Sequence, residues 1–457
     1  MTAENRLAGL LRERRDAHLD QLIELLRIPS VSTDPERAGE VRRAALWLRD
    51  HLAAGGFDAD LLETDGHPAV FAERRVADDA PTVLIYGHYD VQPAEPLELW
   101  ESDPFEPVVR DGSLVARGAS DDKGQVFAHV AGTLALLEAD GELPLNVKFL
   151  IEGEEEIGSS HLAAAIEANR ERLAADAVVV SDGAMLPGPT PTITYGLKGM
   201  AYVEVRVTTA DRDLHSGGYG GGVPNAPLAL AEMLAALKDE DGRIAVPGFY
   251  DDVAELSAEE REQLGRVPFD ESAFASSIGV TATPGEPGRS LLERLWARPT
   301  LDVNGFGGGF QGEGLKTIIP AQAFAKISCR LVPNQDPERI LDLLARRLEE
   351  LAPPGARVEV ERLGSASWAL SSLDSAPVRA AAEAIRTVDG RDPVYVRTGG
   401  TIPVVADFQR LLSADVALVD MGLESDRIHS PNETFDVELY WRGIHLSAEL
   451  LRSLGRS

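Results

Sequence analysis

Leu7, Leu10, Leu11, Leu22, Leu25 and Leu26 recur at helical spacing among charged residues, which predicts an amphipathic helix over residues 5–27, stopped by Pro29. A second helix is expected over 36–53, after which Gly55-Gly56 leads into strand-like runs at 57–62 and 69–74. Next comes Thr82-Val83-Leu84-Ile85-Tyr86-Gly87-His88-Tyr89-Asp90, a β-prone run that ends in a histidine and a carboxylate two residues apart. An apolar helix over 125–137 and strands over 146–151 and 177–180 continue the alternation. Strands alternating with helices predict an α/β layer structure, whose sites form beyond the carboxyl ends of the strands.

The pattern changes after Tyr195-Gly196-Leu197-Lys198-Gly199. Tyr202, Val203, Val205 and Val207 open what reads as a separate α+β unit, in which Asn225 caps a helix over 226–237 with Pro227 in its first turn. Strands at 300–306, 321–331 and 357–361 and a helix over 337–351 complete it. The run Gly305-Phe306-Gly307-Gly308-Gly309 lacks the lysine and the following helix of a phosphate loop, so it reads as turn material. After Ser365 the helix and strand pattern returns.

Composition narrows the function classes. With 457 residues, 44% hydrophobic and 26% charged, the chain has material for two or three cores. Its net charge of -31, from 44 basic against 75 acidic side chains, argues against nucleic-acid and anionic-membrane partners. Cys329 is the sole cysteine, so an intrachain disulfide is excluded and any metal must be held by His, Asp and Glu. No apolar run reaches membrane-spanning length and the start is charged rather than signal-like, so a cytoplasmic location is expected.

Five apolar runs or helix entries deliver histidine or carboxylate. They are His88-Tyr89-Asp90, Ser120-Asp121-Asp122-Lys123-Gly124, Glu152-Gly153-Glu154-Glu155-Glu156, Ser181-Asp182-Gly183, and the distant Arg427-Ile428-His429-Ser430-Pro431-Asn432-Glu433. Acidic residues at a helix entry also serve as caps, but four carboxylates in five positions at a strand end repel one another and call for a cation or a shifted proton. Two histidines and several carboxylates without a thiolate suit two divalent ions, zinc or manganese.

These motifs resemble those of the co-catalytic metallopeptidase family that includes aminoacylase, succinyl-diaminopimelate desuccinylase, glutamate carboxypeptidases and carnosine-type dipeptidases. The resemblance covers essentially the whole chain. It implies that His88 and Asp182 bind one metal, Glu156 and His429 the other, and that Asp121 bridges both, with zinc foremost and manganese or cobalt as alternatives. It further implies that Asp90 orients His88 and that Glu155 is the general base acting on a metal-bridging water. The Asp121-Asp122 peptide matches in position one that is cis in this family.

Because His88 and His429 must converge, the middle unit is an insertion. The expected architecture is a catalytic metal-binding domain of residues 1–196 and 366–457, with a mixed β-sheet covered by helices on both faces, and an inserted α+β lid and dimerisation domain of residues 197–365. Within the insertion, Asp213-Leu214-His215-Ser216-Gly217 and Arg330-Leu331-Val332-Pro333 resemble the family's lid motifs. The resemblance implies that His215 stabilises the oxyanion from the partner subunit of a homodimer, that Arg330 holds the substrate carboxylate, and that Gly400 and Thr401 contact substrate. His88-Tyr89-Asp90-Val91-Gln92-Pro93, with Asp122 after Asp121, is most similar to the dipeptidase branch. The expected function is therefore metal-dependent cleavage of the amide bond of dipeptides, with N-acyl-amino-acid amidohydrolase or succinyl-diaminopimelate desuccinylase chemistry as the alternative. Residues 365–372 contain no histidine where animal dipeptidases of this kind tend to have one, which leaves the side-chain preference open.

Overall fold

The apolar run before His88 forms the strand Thr82–His88, buried from Val83 onward and interior to the largest sheet. The structure, a computed structural model, describes residues 3–456. From one edge the first seven of the sheet's nine strands among the described residues are Asp58–Leu62, Ala69–Arg74, Asn146–Glu152, Thr82–His88, Ala177–Val180, Asp415–Val419 and Thr192–Leu197. The four from Asn146–Glu152 to Asp415–Val419 are parallel, and those flanking them are antiparallel, so the sheet is mixed. Parallel strands buried on both faces need near-continuous apolar sequence, which is why these runs lack alternation.

Helices cover this sheet. Lys123–Asp140 packs on Thr82–His88 and on the carboxyl-terminal helix Val437–Leu454, while Ala38–Ala54 packs on the edge strands. The helix expected over 5–27 is two, Ala3–Glu13 and Arg15–Leu26, separated at Arg14. The end of the second is met from outside: Lys123 Nζ donates to the carbonyl of Leu25, in its last turn, at 3.2 Å and to that of Ile28, just beyond its cap, at 2.7 Å. An ammonium at a helix carboxyl terminus satisfies orphan acceptors and complements the dipole.

By packing, the chain divides into one unit of Met1–Tyr195, Ser371–Val396 and Val404–Ser457, and another of Gly196–Leu370 and Arg397–Pro403. The second unit has a four-stranded antiparallel sheet in the order Thr300–Gly308, Gln322–Leu331, Gly199–Thr208, Arg357–Ala366. Helices Ala226–Ala235 and Pro337–Glu350 pack against it, and Val203, Val205, Val207, Ile327 and Leu344 lie in its core. Asn225 and Asp336 cap these helices, accepting from Leu228 N and from Glu338 and Arg339 N. Cys329 is buried here, and burial pushes its thiol up to about 12, so it is an unreactive core residue.

The glycine run read as turn material is instead strand. Gly305, Phe306, Gly307 and Gly308 pair with Lys326, Ala325, Phe324 and Ala323. A Cβ on Gly307 would lie 2.5 Å from the Phe324 ring, so the missing side chain is what permits the pairing.

Candidate metal centre

Parallel pairing places Glu152 opposite His88, and Val180 opposite Tyr86, so three strands of the first unit end side by side. His88 Nε2 lies 3.1 Å from Asp121 Oδ1 and 3.9 Å from Asp182 Oδ1. The other oxygen, Asp121 Oδ2, is 2.8 Å from His429 Nε2, which is itself 3.4 Å from Glu156 Oε2. Two triads follow, His88 with Asp121 and Asp182, and Asp121 with Glu156 and His429, each able to bring its ligand atoms within 4.8 Å of one another. Asp121 belongs to both.

The donor set fits divalent cations. Imidazole nitrogens and carboxylate oxygens with no thiolate suit zinc and its first-row neighbours, and Glu156 Oε1 is buried with no hydrogen-bond partner among the described residues. Counting protein groups alone, protons stand in for the cations. Hydrogen bonds to Asp121 and Glu156 raise His429 to about 10. Burial opposes the charge on His88, but hydrogen bonds to Asp121, Asp182 and Asp90 win and hold its pKa well above the usual imidazole value. Burial likewise opposes ionisation of Asp121, yet His429 and His88 keep it below the ordinary carboxylate range.

The acidic stretch after the Asn146–Glu152 strand resolves into four separate tasks. Glu152 accepts from Tyr86 Oη at 2.6 Å and Ser159 Oγ at 2.9 Å. Glu154 meets the His161 ring at 2.8 Å and the His67 N–H at 3.1 Å. Glu156 accepts from Gln92 Nε2 at 2.8 Å in addition to facing His429. Glu155, in the short 3₁₀ turn Glu155–Ile157, has no hydrogen-bond partner for its carboxylate among the described residues, and burial raises it to about 8 with the Asp182 and Glu156 carboxylates adding and His88 opposing. A carboxyl with a raised pKa and a free acceptor suits proton transfer.

Asp90 does more than face the imidazole. His88 Nδ1 lies 3.1 Å from the Asp90 carbonyl and 3.4 Å from its carboxylate, while the two carboxylate oxygens accept the N–H groups of Glu155 and Glu156. The Asp121-Asp122 peptide is cis. His429 sits in a loop where Arg427, His429 and Asn432 all take positive φ, the uncommon backbone region that recurs at functional sites.

The remaining site candidates lie in the second unit. His215 is exposed and its Nδ1 accepts the Gly217 N–H at 3.0 Å, so the neutral ring carries its proton on Nε2. Arg330 Nη1 donates to Thr401 Oγ1 at 2.7 Å, and Thr401 Oγ1 donates to the Lys198 carbonyl at 2.6 Å. The Lys198 N–H in turn reaches the Gly400 carbonyl at 3.0 Å. Lys198 had no assigned role on sequence grounds. It is buried, and burial and then Arg330 lower it to about 7. No carboxylate pairs with either cation among the described residues, an unusual state in so acidic a chain.

Residues 84–453 match Peptidase family M20/M25/M40. The chain belongs to this family. It is 36% identical to the human Beta-Ala-His dipeptidase over 388 residues, covering 83% of this chain and 76% of that protein. It is 31% identical to the Cys-Gly metallodipeptidase dug1 of Schizosaccharomyces pombe over 466 residues, covering 98% of each. Among solved structures, the M20 family metallo-carboxypeptidase Sso-CP2 of Sulfolobus solfataricus superposes with a TM-score of 0.86 at 35% identity, over 96% of this chain and 99% of that one. Human carnosine dipeptidase 1 gives 0.81 at 31% identity over 100% and 99%. The family membership agrees with the motif resemblance, and the similarity to the two dipeptidases agrees with the dipeptidase branch.

Proposed function

We propose that this chain is a metal-dependent dipeptidase with Glu155 as general base and two divalent ions, zinc foremost, held by His88, Asp121, Asp182, Glu156 and His429. The observation that carries the reading is Asp121, which turns one oxygen to His88 and the other to His429 at 3.1 and 2.8 Å. Two ions held by these residues would supply Lewis acidity and would lower the pKa of a bound water.

The chain's own groups do the rest. The Glu155 carboxylate takes a proton from the attacking water and returns it to the leaving amine. Asp90 holds the backbone of Glu155 and Glu156 so that base and ligand keep different directions. His215, with its proton on Nε2, donates to the developing oxyanion, in a homodimer formed through the lid domain. Arg330 pairs through its guanidinium with the terminal carboxylate of a short peptide, and Thr401 and Gly400 with the buried Lys198 fix its surroundings. The expected boundaries 1–196, 197–365 and 366–457 serve this catalytic domain and inserted lid, except that Gly196 and residues 366–370 and 397–403 pack with the second unit. No helix among the described residues is long and apolar enough to cross a membrane; a cytoplasmic location and action on small peptides are part of this proposal.

A panel of dipeptides compared with N-acetyl, N-succinyl and N-carbamoyl amino acids tests this reading. Dipeptides are expected to be hydrolysed preferentially, with activity lost on chelation and restored by zinc, manganese or cobalt. Preferential release from N-acyl substrates, or full activity in protein shown to be metal-free, would overturn it.

A further inference from the structure

The segment that carries His429 ends in Glu433, for which the chemistry above has no task. Glu433 is fully buried. Its Oε2 accepts from Arg117 Nη1 at 2.8 Å and from the Gly118 N–H at 2.9 Å. Its Oε1 accepts from the N–H groups of Ser120 at 2.9 Å and Asp121 at 3.1 Å. One carboxylate thus receives four donors from residues 117–121. The contact is reinforced on both sides: the Glu433 carbonyl accepts the Ala116 N–H at 3.2 Å, and Ser120 Oγ donates to Asp426 Oδ2 at 2.9 Å.

Two accounts of this carboxylate are physically distinct. In one it merely neutralises Arg117, which is 1% exposed and also donates to the Pro93 carbonyl at 3.2 Å. The ion pair explains one of the four bonds. The other three come from backbone N–H groups, which a counter-ion for Arg117 does not require and which fix the path of the chain into Asp121. Asp121 is the residue on which the two ligand triads depend.

We propose that Glu433 is the positioning residue of the bridging carboxylate. By holding the backbone of Ser120 and Asp121 it sets the direction of the Asp121 side chain, so that one oxygen serves the His88 triad and the other the His429 triad. Glu433 also stands four residues after His429, so the same contact registers a ligand from the end of the chain against one from its first third. This rests on the two-ion reading and extends it, assigning the affinity of both ions to a residue that touches neither.

The test uses wild type, Glu433→Gln, Arg117→Met and the double variant, each stripped of metal and titrated with zinc against a chromogenic chelator. Unfolding of the stripped proteins in urea is measured in parallel. Each single variant is expected to be less stable, because each leaves one buried charge without its partner, and the double variant is expected to regain stability. Zinc affinity is expected to separate from stability. Arg117→Met keeps it within severalfold, whereas Glu433→Gln and the double variant lose roughly tenfold to a hundredfold at both sites, since an amide turns its NH₂ towards the N–H donors. A double variant that binds two zinc ions with wild-type affinity, or that is weakened at one site alone, would overturn the proposal while leaving the two-ion reading intact. Wild type that binds fewer than two zinc ions would overturn that reading, and the proposal with it.

Discussion

Asp90 Oδ1 accepts the backbone N–H of Glu155 at 3.2 Å, and the second oxygen of the same carboxylate takes the N–H of Glu156 at 3.1 Å. One buried residue therefore fixes two neighbours whose side chains diverge, Glu156 towards His429 and Gln92 and Glu155 with no protein partner among the described residues. Glu155→Gln is expected to lower kcat by roughly a hundredfold or more with metal content near normal, since only the proton acceptor is lost. Glu156→Gln is expected to weaken one ion by roughly tenfold to a hundredfold, read as metal content after dialysis. The reverse pattern would show that base and ligand have been assigned one position out of register.

The proposed role of His215 in a partner's site can be read by subunit mixing. His215→Ala and Glu155→Gln are each expected to lose roughly a hundredfold or more in kcat. After exchange, about half the dimers are mixed and carry one site with both residues intact, so activity should return to about a quarter of wild type. Differently tagged chains verify exchange. Mixed dimers without recovered activity would exclude action across the interface.

Arg330 has a donor fork with one protein acceptor, Thr401 Oγ1, and no carboxylate among the described residues. Arg330→Ala should raise KM for dipeptides by roughly tenfold to a hundredfold, the worth of hydrogen bonds to a charged group. The decisive comparison is a dipeptide against its carboxyl-terminal amide. Wild type should prefer the free acid strongly, and the variant should hardly distinguish them.

His129 ties the fold to pH. It is fully buried, with Nε2 2.8 Å from Ser181 Oγ and Nδ1 3.0 Å from Ser447 Oγ. Ser181 Oγ donates its own hydrogen to the Val419 carbonyl at 2.6 Å, so the neutral imidazole donates from Nε2. Burial lowers its pKa from 6.5 to about 4. Between those values the unfolded chain binds a proton at His129 that the folded chain does not, so the contribution of His129 to stability is full above pH 6.5 and is lost as pH drops towards 4. The shift is worth about 3 kcal/mol. The difference in urea stability between wild type and His129→Gln, measured on metal-stripped protein, isolates this contribution from the other buried groups that titrate in the same window. That difference should change with pH between 6.5 and 4 and be flat above 6.5.

Much of the site was legible in the sequence because a strand end is a local property. The runs before His88, before Glu152 and before Ser181 are apolar over a few residues, and each stops at a polar group, so the candidates could be named without knowing the sheet. The different tasks of Glu155 and Glu156 were an implication of the family resemblance; the structure places both in a 3₁₀ turn whose N–H groups the Asp90 carboxylate holds. Helix bounds were less legible: the long amino-terminal helix is two, and the glycines at 305–308 proved to be strand, because only the facing Phe324 and Ala323 reveal why a side chain is absent there.

The composition and motif order of this chain by themselves determined its family, its cysteine-free ligand chemistry and an α/β fold with an inserted unit, since these depend on residue types and on spacings within single elements. Tertiary structure alone decided which oxygen of Asp121 faces which histidine, that the Asp90 carboxylate anchors the Glu155 and Glu156 backbone, that Lys198 lies buried near Arg330, that residues 397–403 join the second unit, and that Glu433 grips residues 118–121 from 312 positions away. The physical reason is that a side chain's partner is set by sheet order, strand register and chain crossing. Those are properties of pairing between distant segments, and no periodicity within either segment encodes them.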